Sequence, residues 1–548
     1  MSNEGEHMPG WNFADVWETV AQQIPDADAQ VQGERRLTWS EFDRRANGVA
    51  QALLDAGVEE QDKVAQYLYN GPEYLESMFA TFKAGLAPVN TNYRYLDDEL
   101  VYLWDNGDVV AVVFHGSFTE RIEGIRSRLP GVKVWLWVDD DEGPCPTWAT
   151  PYEAAASAGT STSVSGPWGR DGDHLLLLYT GGTTGMPKGV MWRQDDLFRT
   201  LVGTFVPAVR DTDPDDELTI IREAVTAPGI IGLPACPLMH GTGCFTQLIV
   251  LAGGGCTVTL EARHLDIDEL LATIEREKVA TIAIVGDAFA KPMLRALDAS
   301  PGKYDISSLF MISSSGVMFS EASKQGLLGH HAGMMIVDAF SSSEALGMGQ
   351  SVSSAGGTST TATFTVGEHT RVITDDGRAV EPGSGETGRV AVGGWQPVGY
   401  YKDPEKTAST FITFEGKRFS VPGDYAMVEA DGSLTLLGRG SVCINTGGEK
   451  VYPEEVEEAL KTIESVRDAV AVGIPDEKFG EAITAVVEVA PGGGFDEATA
   501  IAHVKGKLAA YKAPKRVLQI DTIGRAPNGK VDYKRLKQWA ADELGVTL

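Results

Sequence analysis

The stretch Leu175–Gly189 constrains the fold more than any other part of this chain. Leu175-Leu176-Leu177-Leu178-Tyr179 runs without a break into Thr180-Gly181-Gly182-Thr183-Thr184-Gly185-Met186-Pro187-Lys188-Gly189. An unbroken apolar run stopped by glycines reads as a strand buried on both faces, followed by a loop. The loop has three hydroxyl residues, four glycines and one lysine. Glycines let backbone N–H groups approach an anion closely, and threonine hydroxyls add donors. A shorter match would be an ordinary Gly/Thr-rich surface turn. It is not a Walker loop, because Met-Pro rather than Lys-Ser/Thr follows Gly185.

Strand and helix patterns alternate elsewhere. Ser40 with Asp43 reads as a capping box, and Phe42, Ala46, Val49 and Leu53 then recur at helical spacing. An apolar strand is expected at Val64–Tyr69 and a helix from about Pro72. Asp266 is placed to cap a helix carrying Ile267, Leu270, Leu271 and Ile274, ahead of the β-rich run Val279–Val285. This alternation predicts an α/β protein with buried sheets. The runs Ser157–Gly169 and Ser351–Thr363 read as connections, and no repeat of 20–50 residues is present. Near Gly438-Arg439-Gly440-Ser441 the texture changes. A helix at Pro453–Lys461, strands at Ala469–Ile474 and Ile483–Val489, and a helix with Ile501, Val504 and Leu508 on one face predict a small α+β domain. The expected organisation is therefore a large domain over 1–437, a hinge at 438–441 and a small domain over 442–548.

Composition narrows the function classes. At 548 residues the chain exceeds one ordinary core. Its 77 acidic against 46 basic residues give a net charge of −31, which repels nucleic acid and anionic membranes. An anionic ligand such as ATP would need a local site of amides, lysine and metal ion. Cys145, Cys236, Cys244, Cys256 and Cys443 are scattered, without CxxC spacing, which speaks against a disulfide framework or zinc site and for a reducing, cytoplasmic setting. The segment Met1–Trp11 is acidic and polar, unlike a signal peptide. Runs such as Leu175–Leu178 and Leu248–Ala252 are too short to span a membrane.

With these residues in view, Tyr179–Gly189 closely resembles the phosphate loop of the adenylate-forming superfamily: acyl-CoA synthetases, luciferases and nonribosomal adenylation domains. The resemblance covers almost the whole chain and recurs in order. It implies an acetyl-CoA synthetase-like fold: a large multi-sheet N-terminal adenylation domain with a small mobile α+β C-terminal domain. In that family the loop grips the β- and γ-phosphates, which assigns Thr180, Gly181, Gly182, Thr183, Thr184, Gly185 and Lys188 to ATP. Asp338-Ala339-Phe340-Ser341-Ser342-Ser343-Glu344 resembles the family's aromatic…Thr-Glu segment. Ser343 stands where the family has Thr, keeping a hydroxyl for the α-phosphate. Glu344 occupies the position of the magnesium-associated carboxylate, an oxygen ligand that suits a hard cation. Asp338 matches a contact to the adenine amino group. Ser341 replaces the usual glycine. Ser315-Gly316-Val317 resembles the segment packing on the adenine ring. Gly423-Asp424 resembles the ribose-binding Thr-Gly-Asp, with Pro422 in place of Thr, and Arg439 follows at the family's distance.

Further matches concern the acyl and thiol ends. Pro237-Leu238-Met239-His240-Gly241 resembles a motif whose side chain lies between acyl pocket and adenylate, assigning His240 there. Ile444–Glu457 resembles the thioester-forming loop and helix, which assigns Gly447, Gly448, Glu449 and Lys450 to CoA. Arg525-Ala526-Pro527-Asn528-Gly529-Lys530 resembles the segment with the catalytic lysine, implying that Lys530 bridges the substrate carboxylate and the α-phosphate. Ser441 stands where the family often has Asp or Lys in its hinge.

The resemblance thus implies an AMP-forming acid–thiol ligase using ATP, Mg²⁺ and CoA, with Thr180, His240, Glu344 and Lys530 at its chemistry. No protein nucleophile is required, in keeping with the lack of a Ser/His/Asp or Cys/His signature. By the same analogy the acyl pocket lies among Ile230–Phe245, Ile284–Phe289 and Gly316–Phe340, apolar segments rich in small residues that suggest room for a long or bulky apolar acid; the resemblance implies a medium- or long-chain fatty acid or a steroid side-chain acid. Asp287 is an acidic residue in that region without an assigned role. The texture looks like actinobacterial fatty-acid and steroid-side-chain CoA ligases. Neither nucleic acid nor stable membrane insertion is expected, and a homodimer is one assembly the family allows. The alternatives are a fatty-acyl-AMP ligase serving a carrier protein, a luciferase-like oxygenase, and a non-catalytic nucleotide- or acyl-binding module.

Overall fold

Two largely parallel sheets dominate the first half of the computed structural model. It describes residues 10–548 except 181–185, 216, 318, 358–362, 440, 441, 443, 447, 448, 477, 478, 509, 527 and 528. The chain groups into two compact units: 1–346 with 352–359 and 393–412, and 347–351 with 360–392 and 413–548. The 437–438 boundary falls inside the second unit, within the strand Leu434–Arg439.

In the first unit, one sheet places in order the strands Met335–Ser342, Met311–Ser315, Thr281–Ile284, Ile231–Pro234, Cys256–Thr259 and Asp28–Gln32, all mutually parallel, with Arg35–Thr38 antiparallel beyond them. The other orders Gly399–Tyr400, Lys188–Arg193, Leu175–Thr180, Ala87–Asn90, Lys63–Tyr67, Val109–His115 and Val134–Val138. From Leu175–Thr180 through Val134–Val138 that sheet is parallel, and Lys188–Arg193 folds back antiparallel. Its strands are nearly all apolar because helices cover both faces. Val134-Trp135-Leu136-Trp137-Val138 is buried at every residue, as a two-sided strand requires.

The aromatic core between these sheets draws on the helix Phe13–Gln23. Phe13 stacks on Phe82 at 5.4 Å between centroids, and Trp17 meets Phe79 edge-on at 5.2 Å. Beside it lies a buried ionic network: Lys83 pairs with Glu18 and, at 2.7 Å, with Asp43, while Arg170 meets Asp15 and Glu18, both at 2.7 Å.

One local expectation is corrected. The helix expected to begin at Ser40 is Trp39–Asp55, capped by Thr38: Thr38 Oγ1 accepts from Glu41 N at 3.2 Å and Glu41 Oε2 accepts from Thr38 N at 3.0 Å. The strand Arg35–Thr38 delivers Thr38 in extended geometry, so the capping box forms two residues earlier. Asp43 instead turns toward Lys83. The helices at Pro72–Lys83, Ile267–Glu277 (capped by Asp266) and Pro453–Lys461 lie where the pattern puts them.

The second unit holds an antiparallel sheet, with Leu434–Arg439, Asp424–Val428 and Thr387–Val392 adjacent in that order, and a C-terminal sheet built on the hairpin Val466–Asp476/Gly480–Val489. Alternate residues of that hairpin serve two cores. Ala469, Ala471 and Val487 pack with Val456 and Leu460, while Val470, Val472 and Val486 pack with Leu536 and Ala540. Among the described residues no helix is long and apolar enough to cross a membrane, and Cys145, Cys236, Cys244 and Cys256 are free.

Candidate active site

The glycine-rich loop leaves its sheet at a hairpin. Leu175–Thr180 pairs antiparallel with Lys188–Arg193 so that Thr180 lies opposite Lys188 and Tyr179 opposite Gly189. Gly189 is required there: a Cβ would sit 2.6 Å from the Tyr179 ring. Gly181, Gly182, Thr183, Thr184 and Gly185 lie outside the described residues. Lys188 Nζ meets Asp403 Oδ2 at 2.5 Å. The strand Gly399–Tyr400 pairs with Val190 and Met191, and from it Tyr400 donates its hydroxyl to Glu344 Oε1 at 2.8 Å. The Tyr400 ring lies 6.0 Å from Lys188 Nζ. Trp192 Nε1 donates to the Ser343 carbonyl at 2.9 Å. The fold therefore brings Thr180, Lys188, Ser343 and Glu344 to one sheet edge.

A second group lies on the neighbouring sheet. Register places Ser314 beside Asp338 and Ser315 beside Ala339, and Gly316 turns the chain with φ +93°, which favours glycine. Asp338 Oδ2 binds Lys324 Nζ at 3.0 Å, and both side chains are buried. Burial pushes the Asp338 carboxyl up, and the Lys324 charge opposes that shift. Asp287, unassigned from sequence, has a structural partner. Its Oδ1 accepts from Ser320 N at 3.1 Å and from Ser320 Oγ at 3.0 Å, and its Oδ2 meets Lys291 at 3.3 Å, tying the starts of helices Asp287–Ala299 and Glu321–His330 together.

The segments expected on the acyl side also lie close together in the sheet. Pro234, Ile284, Ser315 and the end of Met335–Ser342 are carboxyl ends of neighbouring strands, the edge where ligands of open α/β sheets bind. His240 immediately precedes the helix Gly241–Ala252 and is half-buried. Two asparagines hold its loop, Asn70 from the connection after the strand Lys63–Tyr67 and Asn90 from the end of Ala87–Asn90 in the other sheet. Asn70 Nδ2 donates to Pro234 O at 3.2 Å and Cys236 O at 3.1 Å, while Leu238 N donates to Asn70 Oδ1 at 2.7 Å. Asn90 Nδ2 donates to Met239 O at 2.7 Å and Tyr179 O at 2.9 Å, and its Oδ1 accepts from Tyr179 N at 2.5 Å. One buried amide thus joins the base of the glycine-rich loop to the residue before His240.

In the second unit, Asp424 and Arg439 occupy opposed register positions on adjacent strands. Lys530 is exposed on a turn closed by Ala526 N donating to Lys530 O at 2.9 Å. Arg525 braces the turn by donating to Gly529 O at 3.0 Å and pairing with Asp468 at 2.5 Å. Burial tends to neutralise Arg525, and the Asp468 carboxylate reverses this, holding its pKa above the usual arginine value. Glu449 and Lys450 lie in the strand Glu449–Val451, which pairs with Ile444–Thr446, whereas Gly447 and Gly448 are outside the described residues.

Sequence reading missed Tyr400, Asp403, Lys324, Asn70 and Asn90. Tyr400-Tyr401-Lys402-Asp403, four chemistry-bearing residues between Gly399 and Pro404, carried a signal. The two asparagines carried only their place at or just after the ends of apolar strands. Among the described residues no group of three or more His, Cys, Asp or Glu is set to hold a metal ion. A magnesium ion carried by phosphates needs only one or two carboxylates, and Glu344 fits that demand.

The family model of AMP-binding enzymes matches residues 17–401, and that of the AMP-binding enzyme C-terminal domain matches 455–530. A medium/long-chain-fatty-acid–CoA/3-oxocholest-4-en-26-oate–CoA ligase of Mycolicibacterium smegmatis is 40% identical over 538 residues, covering 97% of this chain and 96% of the relative. A 3-oxocholest-4-en-26-oate–CoA ligase of Rhodococcus rhodochrous is 40% identical over 547 residues, covering 98% and 96%. Among solved structures, the anthranilate CoA ligase AuaEII in complex with anthranoyl-AMP superposes with a TM-score of 0.83 at 22% identity over 98% of each chain, a likeness of fold.

Proposed function

This chain belongs to the AMP-binding enzyme family, and we propose that it is an ATP-dependent acyl-CoA synthetase for apolar carboxylic acids of the medium- or long-chain fatty or steroid side-chain type. The observation that carries the reading is the sheet edge where Lys188 and Glu344 stand beside the start of the glycine-rich loop, each held by a side chain of Gly399–Asp403. The names of the relatives support the substrate class.

A carboxylate is a poor electrophile because its oxygen leaves badly. Its attack on the α-phosphate of ATP gives an acyl-adenylate and expels pyrophosphate; the CoA thiolate then attacks the acyl carbon and AMP leaves. The protein's part is positioning and charge neutralisation. Thr180, Ser343, Lys188 and the loop 181–185 bind the phosphates, and Asp338 reads the adenine amino group. Asp424 and Arg439 take the ribose. Lys530, on its braced turn, neutralises the two anions that must meet. Glu344 holds Mg²⁺, which supplies charge neutralisation to the phosphates. His240 stands between acyl chain and adenylate. Residues 438–441 act as the hinge between domains 1–437 and 442–548, exchanging Lys530 for the 447–450 segment when CoA reacts.

Pyrophosphate and AMP release with Mg-ATP, measured with and without CoA across acids from acetate through palmitate to C24 and C27 steroid acids, tests this. AMP formation requiring both an apolar acid and CoA is expected, with adenylation falling at least about a hundredfold in Lys530→Ala. Pyrophosphate release without a CoA-dependent product would instead indicate an acyl-AMP ligase.

A further inference from the structure

Asp403 does two jobs with its two carboxylate oxygens. Oδ1 accepts from Lys406 N at 2.9 Å, capping the helix Pro404–Thr410, and Oδ2 holds Lys188 Nζ at 2.5 Å. Asp403 is fixed from behind as well. Tyr401 and Lys402 both reach Asp108 at 2.7 Å, and Thr407 Oγ1 donates to Asp403 O at 2.7 Å. Lys188, on its flexible stem, can move where Asp403 cannot. The two side chains are 39% and 30% exposed, so this ion pair forms and breaks in contact with water.

We propose that Asp403 is an exchange partner for Lys188: it holds the ammonium group between turnovers, yields it to the phosphates of ATP, and takes it back as pyrophosphate leaves. This rests on the reading of Lys188 as the phosphate-binding lysine. A lysine that grips ATP also grips pyrophosphate, and binding that favours substrate and product alike does not speed turnover. A fixed carboxylate within reach of Nζ weakens both complexes and hastens product departure, a step that limits turnover in many enzymes. Asp403 acts through Lys188 and is a positioning residue.

Asp403→Asn separates its two jobs, because asparagine caps a helix as well as aspartate does but carries no charge. In the full-length enzyme, inhibition by added pyrophosphate should tighten about three- to fivefold, with the KM for Mg-ATP falling in the same direction. The KM for the acid and the melting temperature should not move, and Asp403→Ser, also a cap, should behave alike. Unchanged or weaker pyrophosphate inhibition in a folded Asp403→Asn enzyme overturns the exchange. Lys188→Met keeps the two readings apart. If it leaves ATP and pyrophosphate binding intact, the assignment of Lys188 to the phosphates falls. If it weakens both while Asp403→Asn tightens neither, only the exchange falls. In the Lys188→Met background, Asp403→Asn should have no further effect.

Discussion

Lys83 and Lys188 are both held by carboxylates, in opposite ways. Lys83 is fully buried and shared by Glu18 and Asp43, with Arg170 joining Glu18 and Asp15 alongside. Lys188 meets one carboxylate, half in water. A charge sealed from solvent has no alternative to its partners, so the first network ties the helices Phe13–Gln23, Trp39–Asp55 and Pro72–Lys83 together permanently. A charge at a wet edge can trade its partner for a stronger anion. The difference is between a charge locked into the fold and one open to exchange.

The comparison breaks most visibly at Lys83. Lys83→Met leaves the Glu18 and Asp43 carboxylates without their shared cation and should cost about 3–5 kcal/mol of stability in denaturant unfolding. A loss no larger than that of an exposed pair would deny the buried network its structural role.

Acid tests the same network more gently. Burial raises the Glu18 carboxyl, but the hydrogen bonds and charges of Arg170 and Lys83 more than reverse this and hold it at about 2, against an ordinary 4.5. Its folded-state value is depressed, so its contribution is complete above about pH 4.5 and is lost as pH falls toward 2. Burial dominates at Asp15 and Asp43 and raises both; these bind protons more readily when folded and oppose that loss. Glu18→Gln should therefore lower the melting temperature at neutral pH, with the gap to the parent closing between pH 4.5 and 2. A gap constant with pH would contradict the assignment.

The smallest effect is expected at the wet edge. Tyr400→Phe removes the hydroxyl that meets Glu344 and should change stability by no more than about 1 kcal/mol, because water replaces a lost partner at a half-exposed carboxylate. It should raise the Mg²⁺ concentration needed for half-maximal adenylation, read by titrating the metal at fixed ATP. A stability loss matching that of Lys83→Met would show that this edge supports the fold as much as the buried network does.

Much of this architecture was legible because its signals are local. Leu175–Thr180 announced a buried strand, Asp266 its helix, and Pro453–Lys461 its amphipathic face. The capping box slipped by two residues because both Thr38 and Ser40 can cap, and only the strand before them selects Thr38. Asp287 had no role legible in the sequence, because its partner Ser320 lies 33 positions away.

By itself, then, the sequence determined the kinds of elements and the family, since both show in short motifs whose glycines, hydroxyl residues and charged residues speak for themselves. Tertiary structure alone decided what those residues touch. Asp403 is 215 positions from Lys188, Tyr400 is 56 from Glu344, and Asn90 is 149 from Met239. Such pairs arise from sheet order and register, which depend on the packing of the whole domain and leave no local trace.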